Sequence, residues 1–175
     1  VAQGARNFTA PQESAPEASA PQDWRPDPLE PRLMLEREVL KARVQLPALM
    51  TTWTSIEDGS FTHPAYKALA ATINSLGATR SFASEEITDP QMKALFTELS
   101  VEPIRADGKP TETYVASIVA RLREVAISRS IADLKSSLQR LNPVENEIEY
   151  NAAFAQLVAL ESARRSLHDL ALGSL

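Results

Sequence analysis

The chain has 175 residues, 43% hydrophobic and 23% charged, enough for one or two small domains with real cores. It has no cysteine, which excludes disulfides, Cys-ligated zinc and a thiol nucleophile, and it has no apolar run or basic-then-apolar start that would mark a membrane span or export signal, so a cytoplasmic location is expected. A net charge of −5, with no cationic cluster denser than Arg164-Arg165, disfavours direct nucleic-acid binding, which needs several convergent cations, and makes a protein the better default partner.

Residues 1–31 hold six of the twelve prolines, many alanines and five acids against two arginines, with Phe8, Trp24 and Leu29 isolated. Such a composition cannot bury enough apolar surface to offset its conformational entropy, so the segment reads as a disordered linker; docking of Trp24 to Leu29 onto the domain is the alternative. The start at Val1 reads as a cut from something longer.

From Arg32 onward the pattern is helical throughout. Leu33, Met34, Val39, Leu40 and Val44 give an apolar face up to Gln45, and Pro47 fits the first turn of a second helix carrying Leu49, Met50, Trp53 and Ile56. A third helix runs from about Thr62 to Leu76 with Tyr66, Leu69, Ala70 and Ile73 inward and Gly77 just past its end. Thr88-Asp89-Pro90-Gln91 starts a fourth, capped either by Asp89 with Pro90 at N1 or by Thr88 with Gln91 three residues on; Met92, Leu95, Phe96 and Leu99 form its stripe.

Nothing breaks a helix from Thr111 to Asn142, about 30 residues and roughly 45 Å of rise. Its apolar stripe begins as Tyr114/Val115, Ile118/Val119, Leu122 and Val125, then changes phase near Ser128 to Ile127, Ile131, Leu134, Leu138 and Leu141. The first half is expected to pack on the preceding bundle and the second on a last helix, Pro143 to about Leu172. That helix is opened by Asn142 as N-cap, Pro143 at N1 and Glu145 at N3, with Ile148, Phe154, Leu157, Leu160, Ala163, Leu167 and Leu170 inward. The two stripes predict an antiparallel hairpin, which buries one seam and leaves most of its surface for docking.

Catalytic raw material is sparse. There are two histidines, His63 and His168, and no HExxH, Gly-rich phosphate loop or EF-hand spacing. Asp58, Ser60 and His63 place an acid, a hydroxyl and an imidazole close in sequence, but the position reads as a helix start, with Thr62 as cap, Phe61 as an apolar staple and His63 in the first turn. The run Glu145, Glu147, Glu149 complements a helix N-terminus, with recognition of a basic partner as the sharper alternative.

The order ER-x-VLK-x-x-VQ-x-P-x-L (Glu36 to Leu49), SFTHPAYKAL (Ser60 to Leu69) and EEITDPQMKALFTELSVEP (Glu85 to Pro103), then a long helix and terminal hairpin, resembles the C-terminal helicase-binding domain of bacterial DnaG-type primases. The resemblance covers about residues 32–175. It implies an all-α architecture: a bundle over 32–110, similar to the N-terminal domain of the replicative helicase, joined by the long helix to a hairpin over 111–175. It implies a domain with no active site or cofactor of its own, which recruits a primase to the hexameric helicase at the replication fork and modulates helicase activity. Zinc and magnesium belong to upstream parts of such a parent enzyme. The helicase contacts it implies fall on Arg164, Arg165, His168, Asp169 and Leu172. In some family members a basic pocket on the bundle also receives the acidic tail of single-stranded-DNA-binding protein; Arg37 matches one of its basic positions, while Glu98 occupies another. The competing reading is the helicase's own N-terminal domain, acting in ring assembly; the preceding linker and the end at Leu175 weigh against it.

Overall fold

The computed structural model describes residues 24–77 and 80–173, the Asp58 side chain excepted, so most of the 1–31 segment lies outside the described residues. Five α-helices succeed one another: α1 (Met34–Gln45), α2 (Pro64–Gly77), α3 (Pro90–Val101), α4 (Glu112–Leu138) and α5 (Glu147–Ala171), with no strand among the described residues.

The core gathers Val39 and Leu40 of α1, Tyr66, Leu69 and Ile73 of α2, Leu95 and Leu99 of α3, and Val115, Val119 and Leu122 of α4. Helix α1 is the hub. Its charged residues Glu36, Arg37, Glu38, Lys41 and Arg43 are all at most 6% exposed. Burying such groups is costly unless each is paired and hydrogen-bonded, and here they hold the ends of the neighbouring helices. The Glu36 carboxylate accepts from Thr62 N–H (2.9 Å), Thr62 Oγ1 (2.5 Å) and His63 N–H (3.4 Å) just before α2, while Arg43 Nη2 donates to the carbonyls of Gly77 (3.1 Å) and Arg80 (2.9 Å) beyond its last turn. An acid thus meets the positive end of the α2 dipole and a cation the negative end. The Arg43 guanidinium also lies 5.7 Å from the Trp53 ring centre and 5.5 Å from that of Phe82. Gln45 Nε2 donates to the carbonyls of Leu99 (2.6 Å) and Glu102 (2.7 Å) at the end of α3. Glu38 accepts from Arg105 N–H and Tyr114 Oη, both at 2.7 Å, which fixes the approach to α4.

Asp89 caps α3, accepting from Gln91 N–H (2.8 Å) and Met92 N–H (2.9 Å) with Pro90 at the first position, the first of the two expected starts. Thr111 caps α4 through Tyr114 N–H (3.2 Å). Three expectations are corrected. The second helix after Pro47 is absent: turns lead to two 3₁₀ turns, Trp53–Ser55 and Asp58–Ser60, because Trp53 is drawn out of solvent, only 3% exposed, with its indole N–H on Asn74 Oδ1 at 2.7 Å. The cap of α2 is His63 rather than Thr62: His63 Nδ1 accepts from Ala65 N–H at 3.2 Å, while Thr62 is committed to Glu36. The last helix starts at Glu147. Asn142 does cap a turn, Oδ1 accepting from Val144 N–H at 3.0 Å, but Asn146 (φ −118°, ψ 40°) interrupts it before α5 begins.

Trp24 packs, partly buried, against the core, and Arg25 donates to Glu98 Oε2 through Nε (3.1 Å) and Nη2 (2.6 Å). Trp24 and Arg25 therefore lie on the domain, whereas Leu29 is 77% exposed.

Candidate partner-binding surface

The apolar stripe of α4 changes sides as its sequence pattern requires. Val115, Ile118, Val119 and Leu122 join the bundle core, whereas Ala120 packs with Leu167 and Ala171 of α5, with Ile127 and Leu170 beside them. Val125, expected in the first stripe, is 46% exposed, at the point where the bundle ends. Arg129 closes the junction, its Nη2 donating to the carbonyls of Gly59 and Ser60 at 3.0 Å each.

Pairings across the hairpin run antiparallel: Lys135 Nζ meets Glu161 Oε1 at 2.9 Å and His168 Nδ1 meets Glu124 Oε1 at 3.1 Å. On α5 the less exposed positions are Tyr150, Ala153, Leu157, Leu160, Arg164, Leu167 and Ala171, recurring every three or four residues, with Glu161 and Leu170 beside them. This is the seam of a two-helix coiled pair. Leu157, Leu160, Leu167 and Leu170 fall in it as expected; Ile148 (86% exposed) and Phe154 (52%) do not, and Ala163, though exposed, lines a cleft with Ala126, Ile127 and Ser130 of α4. The physical reason is that one facing helix covers only one narrow stripe of α5, and the apolar residues of this sequence extend over more than one.

The uncovered residues form a second stripe. Phe154, Val158, Ser162, Arg165, Asp169 and Leu172 recur at i, i+4, i+8, i+11, i+15 and i+18, one face of a helix, and all are exposed. The surface between Phe154, Val158, Ser162 and Arg165 is a shallow groove. Helix α5 therefore presents an aromatic, a branched aliphatic, a cation, an anion and a leucine (62% exposed) in line.

The five hairpin residues singled out from the sequence divide between the two stripes. Arg165, Asp169 and Leu172 lie on the outward face. Arg164 turns toward the seam and pairs with Glu161 at 3.1 Å, and His168 is held by Glu124. Phe154 and Val158 were the residues sequence reasoning missed for this face. Their i, i+4 spacing with each other and i+11 and i+7 with Arg165 was the available signal.

Arg37 is 3% exposed. It donates to Glu102 Oε2 from Nε (2.8 Å) and Nη2 (2.5 Å), to Tyr66 Oη (3.2 Å) and to Glu98. Burial alone would lower its pKa, but the hydrogen bonds with Glu102, Tyr66 and Glu98 outweigh that and raise it. Burial would raise the carboxyls of Glu98 and Glu102; Arg37, with Arg25 and Lys41, holds both below the usual range instead. Arg25, Arg37 and Lys41 face Glu38, Glu98 and Glu102, three cations against three carboxylates, so the cluster carries no excess positive charge for an acidic peptide.

His63 serves as a helix cap beside the Tyr66 ring (5.5 Å between centres), with Thr62 Oγ1 donating to Glu36 and Ser60 buried. Among the described side chains no nucleophile–base pair results. Among the described residues no group of three His, Asp or Glu side chains is placed to hold a metal ion, and no helix is long and apolar enough to cross a membrane.

Comparison with known proteins gives a consistent answer. A family model described as DNA primase DnaG DnaB-binding matches residues 36–153. A DNA primase of Mycolicibacterium smegmatis is 42% identical over 173 residues, covering 93% of this chain and 27% of the relative, and that of Mycobacterium tuberculosis strain H37Rv is 40% identical over 157 residues, covering 84% and 25%. The chain thus spans about a quarter of the length of the curated relatives it matches. The solved helicase-binding domain of primase from M. tuberculosis superposes with a TM-score of 0.65 at 40% identity, over 81% of this chain and 94% of that one. These relatives are primases, which sets aside the reading as a helicase N-terminal domain. All-helical, with a buried-charge bundle and an outward-facing hairpin, the chain belongs to the family of DnaB-binding domains of DnaG-type DNA primases.

Proposed function

We propose that this domain attaches a DNA primase to the hexameric replicative helicase of DnaB type, through the outward face of α5, and thereby recruits primase to the replication fork in the bacterial cytoplasm and modulates the helicase. The observation that carries the reading is the uncovered stripe of Phe154, Val158, Arg165 and Leu172 on a helix that, among the described residues, packs chiefly against α4. A helix face with anchors at these spacings suits an apolar groove or a facing helix on a partner. The chemistry is association, requiring no metal or cofactor from this chain. Arg165, Asp169 and Leu172 are assigned direct contacts; His168 acts by holding the hairpin together through Glu124, and Arg164 by orienting Glu161 toward Lys135. Single-stranded-DNA-binding protein is left out of the proposal, since Arg37 is buried and already neutralised by Glu98 and Glu102.

The test is binding of the purified chain to its cognate helicase by surface plasmon resonance. Phe154→Ala and Leu172→Ala are expected to weaken binding by roughly 30-fold each if they are hot spots worth about 2 kcal/mol, and Arg165→Glu to slow association. Helix content by circular dichroism should be unchanged in all three. Undiminished binding after removal of residues 143–173 overturns the proposal.

A further inference from the structure

The residues that enter α1 are more than a tether. Trp24 lies against the bundle core and borders a groove with His63, Pro64 and Ala65 at the start of α2 and Gln91 and Met92 at the start of α3. One residue on, Arg25 grips Glu98 Oε2 with two nitrogens, while the other oxygen of the same carboxylate receives Arg37. Asp27 then stiffens the turn into α1: its Oδ1 accepts from Leu29 N–H at 2.8 Å and its carbonyl from Glu30 N–H at 3.2 Å, and the Glu30 carbonyl receives Leu33 N–H at 3.0 Å. An aromatic anchor, a two-nitrogen exposed ion pair and a side-chain-closed turn thus succeed one another over residues 24–33.

We propose that residues 24–31 are a releasable strap that sets where the chain preceding the domain departs: docked, beside the N-termini of α2 and α3, and released, from the start of α1. The groove at Trp24 and the acceptor of Arg25 belong to α2 and α3 and to no residue of α5, so the strap governs the reach of the upstream chain and not the hairpin. At about 3.3 Å per extended residue, freeing these eight residues lengthens the tether by up to roughly 26 Å. The Arg25–Glu98 pair is solvent-exposed on the arginine side, 53%, so it is the part that ionic strength loosens.

The chain suits a direct test because it has only two tryptophans and no cysteine. In a ¹⁵N spectrum of the full 175-residue chain, Trp24→Ala assigns the two indole signals. The Trp24 indole is expected to relax like that of the buried Trp53, and Arg25→Glu to shift it toward the free-tryptophan position and mobilise it. A spin label on a cysteine replacing Ser19 should broaden amide signals of residues 63–68 and 91–93, and Trp24→Ala with Arg25→Glu should reduce that broadening by about half or more. Helicase binding by these variants should stay within about twofold of the parent. A freely mobile Trp24 indole in the parent, or broadening that the double variant leaves unchanged, overturns the proposal.

Discussion

Replacing Arg37 with methionine tests whether the bundle is held by its buried charges or only decorated with them. The guanidinium makes four hydrogen bonds, to Glu102 twice, Glu98 and Tyr66, and is 3% exposed. Removing one partner from a buried ion pair costs about 3–5 kcal/mol, because the remaining charge stays desolvated. Here the stranded carboxylates are about a quarter exposed (27% and 25%) and regain some hydration, which puts the loss near the low end, about 3 kcal/mol. For a chain of this size that corresponds to a fall in Tm of about 6–12 °C. Urea unfolding followed by circular dichroism gives the difference, and the cycle with Glu102→Gln isolates the pair: the double variant should recover part of the loss, since the stranded charge goes with its partner. A loss below about 1 kcal/mol, or a double variant as costly as the sum of the singles, would refute the buried-pair assignment and return Arg37 to the class of surface residues free to meet a ligand.

The same cluster dictates the acid response. The carboxyls of Glu98 and Glu102 are held below their ordinary range in the folded state, so their stabilisation is complete above the unfolded glutamate pKa of about 4.3 and is lost as pH falls through the depressed folded values; urea midpoints should be flat from neutrality to about pH 5 and drop below about pH 4.3, less steeply in Arg37→Met. His63→Ala should cost about 1 kcal/mol, the worth of a helix cap, by denaturant titration, and leave helicase binding intact; lost binding with retained stability would count against the cap assignment. No residue from 132 to 166 is buried, so amide exchange across the distal hairpin should run orders of magnitude faster than in α1 and slow on helicase binding; equal protection in the free chain would contradict the open packing of the hairpin.

Local chemistry was legible where it was self-contained. Asp89-Pro90 carries its own cap, and the phase change between Leu122 and Ile131 follows from helical periodicity alone, so α3, α4 and the hairpin could be read directly. Features set by distant partners could not. Leu49, Met50, Trp53 and Ile56 fit a helical stripe, yet the bond from Trp53 to Asn74, 21 residues away, wins over propensity. The charged residues of α1 look like a solvated face, and nothing local says that Glu102, 65 positions beyond Arg37, will be there to neutralise it. On the proposed binding surface, Arg165 and Leu172 were legible as exposed late positions of a terminal helix, whereas the division of Arg164 and Arg165 between seam and outside depended on which side of α5 meets α4.

The two halves are stabilised in opposite ways, and the difference bears on how an adaptor works. In the bundle, side chains of α1 fasten helix ends at fixed points, so a displacement of one helix must break directional bonds to buried charges. In the hairpin, among the described residues, the only buried side chains beyond Leu122 are Ile131, Leu167 and Ala171, and five of the eight large exposed hydrophobics, Val144, Ile148, Phe154, Val158 and Leu172, lie after the end of α4. Monomeric proteins rarely leave so much apolar surface on one element. A partner that covers it would add burial where the free domain has least, so under the proposed function docking would also order the element that docks, and the rigidly fastened bundle would change least.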